Sequence, residues 1–342
     1  MTSPTSQRPP AVRALAIVGA LLALALAAIP AHAAGSDHAP RTLRSLTVWL
    51  DWYPNSDHAG IYVAMARGYY AREGLTVHAQ VPSGAADALR LVAHGSGDIA
   101  ISYEPDILLA RIQGVPVIAT AALVQRPLNC IMTLRSSGIT RPRHLQGRTV
   151  GVAGLPGDDA NIRSVVRADG GNPASVRQVS VNYALLQALL ARRVDAVEGV
   201  YWTWEALQAR ASGHPVNVMR IDSYGVPSYD ELVLATSTAR LRAEPGVLHA
   251  FQRATLAGYA YAAAHPAQAA AIVLRAPAVL SHDRALMVHS IRLLSPLYHD
   301  ARGRYGTMSV AAWQRYADWM FRTHLVRSRL DAHAALTTSL LP

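Results

Sequence analysis

The feature that most constrains this chain is a repeated switch of hydrophobic period. From Leu46 onward, short apolar runs alternate with stretches of helical spacing, which predicts layered α/β architecture rather than an all-β sandwich. Leu46–Leu50 reads as a strand, Ser56 or Asp57 is placed to cap a helix through Ile61, Ala64 and Met65, and Gly68 can end it. Thr76–Val81, Asp98–Ser102 and Val115–Ala122 read as further strands. The helices between them open at Ser83-Gly84-Ala85-Ala86-Asp87 and after Tyr103-Glu104-Pro105. A second unit of the same style has strands at Thr149–Ala153, Val176–Val181, Ala196–Val200, Val216–Asp222 and Glu231–Thr236. Its helices follow Asp158 or Asp159 and cover Leu185–Ala191 and Trp202–Ala211, and residues 244 to 330 keep an almost entirely helical period. No short tandem repeat is visible. At 342 residues, 51% of them hydrophobic, the chain can bury two ordinary cores or one large one.

The first 33 residues stand apart. Arg8 and Arg13 precede an apolar run from Ala14 to Ile29, then Pro30 and the small-x-small triplet Ala31-His32-Ala33. This is the order of a cleaved secretory signal, and the run falls short of the roughly 20 residues that span a bilayer. The expectation is a mature chain beginning near Ala34 and released into the periplasm, with no cysteine beside the cleavage point to carry a lipid. Cys130 is the only cysteine, which excludes an internal disulfide and a cysteine-based zinc cluster; in the run Asn129-Cys130-Ile131-Met132 it reads as a packed small hydrophobe. The net charge is +10, or +8 without Arg8 and Arg13. The arginines are scattered without a dense basic run, so nucleic acid is not the expected partner. All 32 basic residues are arginine. Without lysine the chain can form no Schiff base with pyridoxal phosphate and cannot complete a G-x-x-x-x-G-K-[ST] phosphate loop.

No G-x-S-x-G elbow and no H-E-x-x-H pair is present. Gly151, Gly154 and Gly157 are spaced G-x-x-G-x-x-G, a poor dinucleotide fingerprint, and His78, His94 and His144 lack metal-ligand spacing. No catalytic residue, metal or cofactor is therefore expected. What remains is a set of aromatic and polar residues at strand-to-helix corners, where ligands of open α/β sheets sit. Trp52 and Tyr53 follow the first strand, where a ring could stack on a flat heterocycle or close the core. Asn55 and His58 flank the helix start, as hydrogen-bonding groups or as caps. Tyr103 and Glu104 occupy the corner after the third strand, and Tyr201-Trp202-Thr203-Trp204-Glu205 repeats the arrangement in the second unit. Two aromatic corners facing each other would clamp a planar ligand, with Glu104 or Glu205 accepting from its amino group or ring N–H.

The blocks LDWYPNSDHAGIYVAMARGYYAREGL, SGDIAISYEPDILLARIQGVPV, LQGRTVGVAGLPGDDANIRSVV, VDAVEGVYWTWEALQ and YGVPSYDELVLATS, in this order over about residues 45 to 330, resemble substrate-binding proteins of ABC importers in the thiamine-pyrimidine-synthase-like group. That group includes formylaminopyrimidine and riboflavin binders and, more distantly, binders of sulfonates, taurine and nitrate. The resemblance implies a type II periplasmic binding fold: two α/β lobes, 45–128 plus 232–342 and 129–231, closing on a ligand in the cleft. It implies ring-stacking or hydrogen-bonding roles for Trp52, Tyr103, Trp202, Glu205 and Tyr229, with Asn55 and His58 at the first corner and Glu231 in the last block. Helix-opening loops at Ser83–Ala86 and Gly154–Gly157 would offer N–H groups to a polar or anionic substituent.

The same group contains a pyrimidine synthase that consumes its own pyridoxal phosphate and a histidine. Here the synthase's lysine falls at about Ser102, its histidine at about Asp106, and its cysteine cluster is replaced by GVPSYDEL. The resemblance thus implies a monomeric, non-enzymatic solute-binding protein that carries a thiamine-precursor pyrimidine or similar heterocycle to an inner-membrane ABC permease. The alternative is the same fold holding a sulfonate, taurine or nitrate-like anion; the synthase reading is the weakest of the three.

Overall fold

The first sheet is built around a strand that is buried on both faces. The computed structural model describes residues 43–84 and 86–341; the signal expected over residues 1–33 and its processing near Ala34 lie outside the described residues. Strand β1 (Arg44–Trp49) feeds, through helices α1 (Ala59–Ala66) and α2 (Tyr69–Arg72), the edge strand β2 (Leu75–Gln80), which pairs with it in parallel with Leu46 opposite Val77. Helix α3 (Asp87–Ala93) leads to β3 (Ile99–Ser102), whose four residues are all buried, as expected for a parallel strand covered on both sides. Helix α4 (Glu104–Ile112) and β4 (Val117–Val124) follow. This last strand begins two residues later than the apolar run predicts. Pro116, which has no N–H to give a ladder, stands just before it.

The chain then crosses to a second sheet with β5 (Asn129–Leu134), β6 (Thr149–Val152), α5 (Asp158–Ala168), β7 (Arg177–Ser180), α6 (Leu185–Leu190), β8 (Ala196–Tyr201), α7 (Glu205–Ala211) and β9 (Val216–Arg220). It returns as β10 (Leu232–Ser237). The strand orders are β2-β1-β3-β10-β4 and β7-β6-β8-β5-β9. The two sheets share one topology: in each, the strand that runs antiparallel to its neighbours is the first one made after a crossover, β10 in the first and β5 in the second. No sequence repeat reveals this, because the equivalence is one of connection and not of residues. Both sheets belong to one compact unit.

The C-terminal segment packs on the first sheet through α8 (Thr238–Ala243), α9 (Pro245–Ala264), α10 (Pro266–Val273), α11 (Arg284–Leu294) and α12 (Val310–Arg322). It is less helical than its period predicts. Residues 298 to 309 run as bridges and turns through Gly303 and Gly306, both at positive φ, and beyond Arg322 only a short 3-10 turn at Ala332–Ala334 recurs. Helices α1 and α9 touch backbone to backbone: a Cβ at Gly258 would lie 2.0 Å from the Gly60 carbonyl oxygen. That approach brings the Tyr259 hydroxyl within 2.7 Å of the Asp57 carbonyl, and Tyr298 donates to the Ser56 carbonyl at 3.3 Å. The corner after β1 is thereby held from behind by the C-terminal helices. Among the described residues no helix is long and apolar enough to cross a membrane.

Candidate ligand-binding cleft

A cavity of about 40 Å³ lies between the two sheets, where the C-terminal ends of β1, β3 and β8 meet the crossovers. Its walls carry Trp52, Tyr103, Tyr201 and Tyr229, five acids (Asp51, Asp106, Asp158, Glu205 and Glu231) and three amides (Asn55, Asn129 and Asn161). Among the described residues, no arginine or histidine lines it.

The first corner is an interlocked turn. Asn55 caps it, accepting from Asp57 N at 2.7 Å, while Nδ1 of His58 accepts from Asn55 N at 3.3 Å. The cap is therefore Asn55, and Ser56 and Asp57 lie inside the first turn. Because Nδ1 of His58 is an acceptor, its proton sits on Nε2, which donates to Asp51 Oδ1 at 2.9 Å; Tyr103 donates to Asp51 Oδ2 at 2.9 Å. His58 is fully buried and does not reach the cavity. It orients Asp51, which does. Behind this turn both carboxylate oxygens of Asp57 are buried without a partner, and burial, followed by Asp51, Glu205 and Glu231, raises its pKa well above the ordinary carboxyl range.

At the α4 corner the helix start presents Tyr103, Pro105 and Asp106 to the cavity while Glu104 turns away. Glu104 Oε2 accepts from Asp230 N at 2.8 Å, and Glu104 N donates back to the Asp230 carbonyl at 3.2 Å. This clips α4 to the second crossover. Burial and Asp230 raise the Glu104 carboxyl well above its ordinary pKa.

The turn before α5 departs from expectation. Gly154 and Leu155 both aim their amides at Asp158 Oδ2, each at 2.8 Å, so the helix's own acid occupies the place held open for an anionic substituent. Gly154 is exposed with φ +89°, and a Cβ there would meet Ser180 Oγ at 3.0 Å; it shapes the turn and does not line the cavity. Leu155, Gly157, Asp158 and Asn161 line it instead. At the other loop, Ser83 Oγ donates to Asp87 Oδ2 at 3.0 Å, away from the cavity.

In the second aromatic corner the helix begins at Glu205, three residues later than the pattern predicts, because the Glu205 carboxylate turns back to accept from Tyr201 N at 2.8 Å. Tyr201 faces the cavity, with its hydroxyl buried near the Glu231 carboxyl. Trp202 points the other way. Its indole donates to the Pro127 carbonyl at 3.3 Å and lies under the Arg220 guanidinium, 5.0 Å from the ring centre, so it packs on the first crossover. Tyr53 also lies off the cavity. It contacts Tyr183 edge-on at 5.0 Å in an adjoining recess, and Tyr183 makes a similar contact with Trp52 at 4.7 Å. Tyr183 donates to the Pro82 carbonyl at 3.2 Å, joining the two sheets across the cleft mouth.

The crossovers supply the remaining wall. Glu231 Oε2 accepts from the amides of Leu128 at 2.5 Å and Asn129 at 3.1 Å, binding one crossover to the other. Glu198, fully buried behind the cavity, accepts from the side-chain amides of Asn129 at 2.8 Å and Asn161 at 2.9 Å, and Asn129 in turn accepts from Gly199 N. Burial, with Asp158 beside it, holds the Glu198 carboxyl well above its ordinary pKa. Within the cavity, burial pushes Asp106 up to about 8, reinforced by Asp158 and Glu231. Burial takes Glu205 and Glu231 to about 7 each, and Asp158 to about 6, against the downward pull of the amides they hold. Among the described residues no group of three or more Asp, Glu, His or Cys is arranged to hold a metal ion. Cys130, expected as a packed small hydrophobe, is wholly buried, with its thiol toward the Val200 carbonyl.

Of the eleven residues anticipated, Trp52, Asn55, Tyr103, Glu205, Tyr229 and Glu231 converge on the cavity; Tyr53, His58, Glu104, Gly154 and Trp202 do not. Sequence reasoning passed over Asp51, Asp106, Asn129, Asp158 and Asn161 as ligand groups, and at the second aromatic corner it chose Trp202 where Tyr201 faces the cavity. Three of these carried a local signal: Asp51 ends a strand, and Asp106 and Asp158 lie in helix first turns after strand ends. Asn129 and Asn161 had none, because their partner Glu198 is distant in sequence.

The model of the family described as NMT1/THI5 like matches residues 55–269. The formylaminopyrimidine-binding protein of Halalkalibacterium halodurans is 34% identical over 312 residues, covering 90% of this chain and 94% of that protein. The chain belongs to the NMT1/THI5-like family. Another relative, the riboflavin-binding protein RibY of Chloroflexus aurantiacus, is 26% identical over 91% of this chain and 90% of its own. Among solved structures, the periplasmic nitrate-binding protein NrtA of Synechocystis superposes with a TM-score of 0.70 at 14% identity, covering 87% of each chain. This NMT1/THI5-like chain thus has the two-lobed type II periplasmic binding fold. In that frame, the polar wall of its cleft is almost wholly carboxyl, amide and phenol.

Proposed function

We propose that the protein is the periplasmic solute-binding component of an ABC importer, and that it captures a small planar nitrogen heterocycle of the aminopyrimidine, thiamine-precursor class. The observation that carries this reading is the cavity wall: aromatic rings and five carboxyl groups, with no cationic side chain among the described residues. Amino groups and ring N–H bonds of a heterocycle are donors, and carboxylates are the strong acceptors that meet them. The rings of Trp52, Tyr103, Tyr201 and Tyr229 offer apolar faces and edges to its plane. Holding one water takes roughly 10–15 Å³ on the same measure, so a cavity of about 40 Å³ suits one ring better than a fused three-ring flavin.

Five acids are the wrong lining for a sulfonate, taurine or nitrate-like anion, and the Gly154–Leu155 amides that would hold one are already occupied by Asp158. A synthase that uses a lysine-bound cofactor is incompatible with a chain that has no lysine. The protein binds its cargo and returns it unchanged. We read residues 45–128 plus 232–342 as one lobe and 129–231 as the other, with the crossovers as hinge. Export is supported by the signal pattern of residues 1–33, and action as a monomer by a cavity completed within one chain. Titration of ligand-stripped protein with aminopyrimidines, riboflavin, taurine and nitrate, followed by tryptophan fluorescence, tests the reading. Saturable binding of an aminopyrimidine supports it; a response to taurine or nitrate with none to aminopyrimidines overturns it.

A further inference from the structure

The two sheets also touch at the edges that lie farthest from the crossovers. In each strand order the crossovers attach at one side, to β4 and β10 in the first sheet and to β5 and β9 in the second, while β2 and β7 form the opposite edges. Pro82 follows the end of β2 at Gln80, and Tyr183 follows the end of β7 at Ser180. These are equivalent corners of the shared topology, and one side chain spans them. The Tyr183 hydroxyl donates to the Pro82 carbonyl at 3.2 Å, and its ring stands edge-on to Trp52 and Tyr53, with ring centres 4.7 Å and 5.0 Å away. All three partners belong to the segment of the first sheet. Trp52 lines both the cavity and the recess that holds Tyr183, whereas Tyr183 itself does not reach the cavity.

The turn that carries Tyr183 is tied down on its own side. Val181 N donates to the Val152 carbonyl at 2.9 Å, Ala184 N donates to the Val181 carbonyl at 3.0 Å, and the buried Leu185 opens α6. Between them Asn182 sits at φ +49°, a left-handed conformation that asparagine tolerates better than most residues. Tyr183 is thus presented to the opposite sheet from a braced turn. Resting on the two-lobe, cargo-binding reading above, we infer that Tyr183 is a positioning residue that clasps the closed lobes: it steadies the Trp52 wall and sets how slowly cargo leaves. With the crossovers as hinge, opening moves the far edges most, so these contacts break on opening and are absent when cargo first enters. Two aromatic contacts and one hydrogen bond therefore favour the closed state without contributing to encounter. Their effect falls on dissociation.

The test is stopped-flow tryptophan fluorescence of the full mature chain with 4-aminopyrimidine as probe, on wild type, Tyr183→Ala and Tyr183→Phe. In the alanine variant koff is expected to rise at least about tenfold, roughly 1.4 kcal/mol, with kon within about threefold of wild type and the ligand-free melting temperature unchanged. Phenylalanine keeps both ring contacts and loses only the bond to Pro82, so its koff should rise about two- to fivefold. An unchanged koff in both variants, with the probe still bound, refutes the clasp and leaves the ring reading standing. A loss carried by kon overturns it too, because the contacts would then act at encounter. A ligand-free melting temperature that falls in the alanine variant and recovers with phenylalanine, together with wild-type koff in the latter, assigns Tyr183 to folding alone and overturns the proposal. If the alanine variant folds poorly, phenylalanine decides: faster release at unchanged kon is expected, and wild-type release refutes the clasp. A wild type that does not bind the probe brings down the ring reading, and this inference falls with it.

Discussion

Glu231 joins the two crossovers and also lines the cavity, so replacing it in two ways separates folding from binding. Its Oε2 takes the amides of Leu128 and Asn129, both buried. In Glu231→Ala these donors lose their acceptor. At about 1–3 kcal/mol for each orphaned buried group, the loss is about 2–6 kcal/mol, a large share of a typical 5–15 kcal/mol stability. In Glu231→Gln the amide oxygen can still receive both N–H groups, so the stability cost should be about 1 kcal/mol. The NH₂ then turns toward the cavity and puts a donor where the ligand's amino group needs an acceptor. A lost hydrogen bond to a charged group is worth about 1.5–3 kcal/mol, or about 10- to 150-fold in Kd. Urea unfolding at constant slope reads the first effect, and fluorescence titration with an aminopyrimidine reads the second. An alanine variant with an unchanged midpoint, or a glutamine variant that binds like wild type, would refute the reasoning.

Other expected outcomes follow from the same geometry. Trp52→Ala should weaken aminopyrimidine binding by about 1–3 kcal/mol, the usual worth of a base-aromatic stack, whereas Trp202→Phe, off the cavity, should leave Kd within about threefold; equal losses in both would sink the assignment of the aromatic wall. Because burial raises the Glu198 carboxyl well above its ordinary pKa and glutamine keeps an acceptor oxygen for Asn129 and Asn161, Glu198→Gln should fold and bind nearly as wild type. Glu198→Ala, which strands the Asn129 and Asn161 amides, should cost about 2–6 kcal/mol in urea unfolding. The ligand-free protein should melt at higher temperature near pH ~5 than near pH ~8. Asp106, Glu205, Glu231 and Asp158 have folded pKa values of about 8, 7, 7 and 6, above their ordinary values, so the folded state binds more protons in this window and loses stability as pH rises through it. Asp169, held at about 2 by Arg141, works in the opposite sense only as pH falls below the ordinary carboxylate range. Asp106→Asn should flatten the slope; a ligand-free Tm that climbs from pH ~5 to pH ~8 would contradict the buried-acid picture.

Local features were legible along the chain. Hydrophobic period identified the α/β layers, because a strand buried on both faces, such as Ile99–Ser102, and an amphipathic helix, such as Asp158–Ala168, leave different spacings in the chain. The absence of lysine removed a whole chemistry, and the position of Trp52, Asn55, Tyr103 and Glu205 just past strand ends marked corners that converge on the cavity. Direction was not legible. At the second corner the sequence offers Tyr201 and Trp202 equally; the register of β8 and the Pro127 carbonyl decide that Tyr201 faces the cavity and Trp202 packs behind it. At the first corner His58 looked like a ligand group, but burial and its bond to Asp51 make it a support. Only the tertiary structure brought together Asp51, Asp106, Asp158, Glu205 and Glu231, which lie on five separate segments. Their convergence depends on two crossovers whose closure no local spacing encodes, and it replaced an expected anion-binding turn with a wall of acceptors.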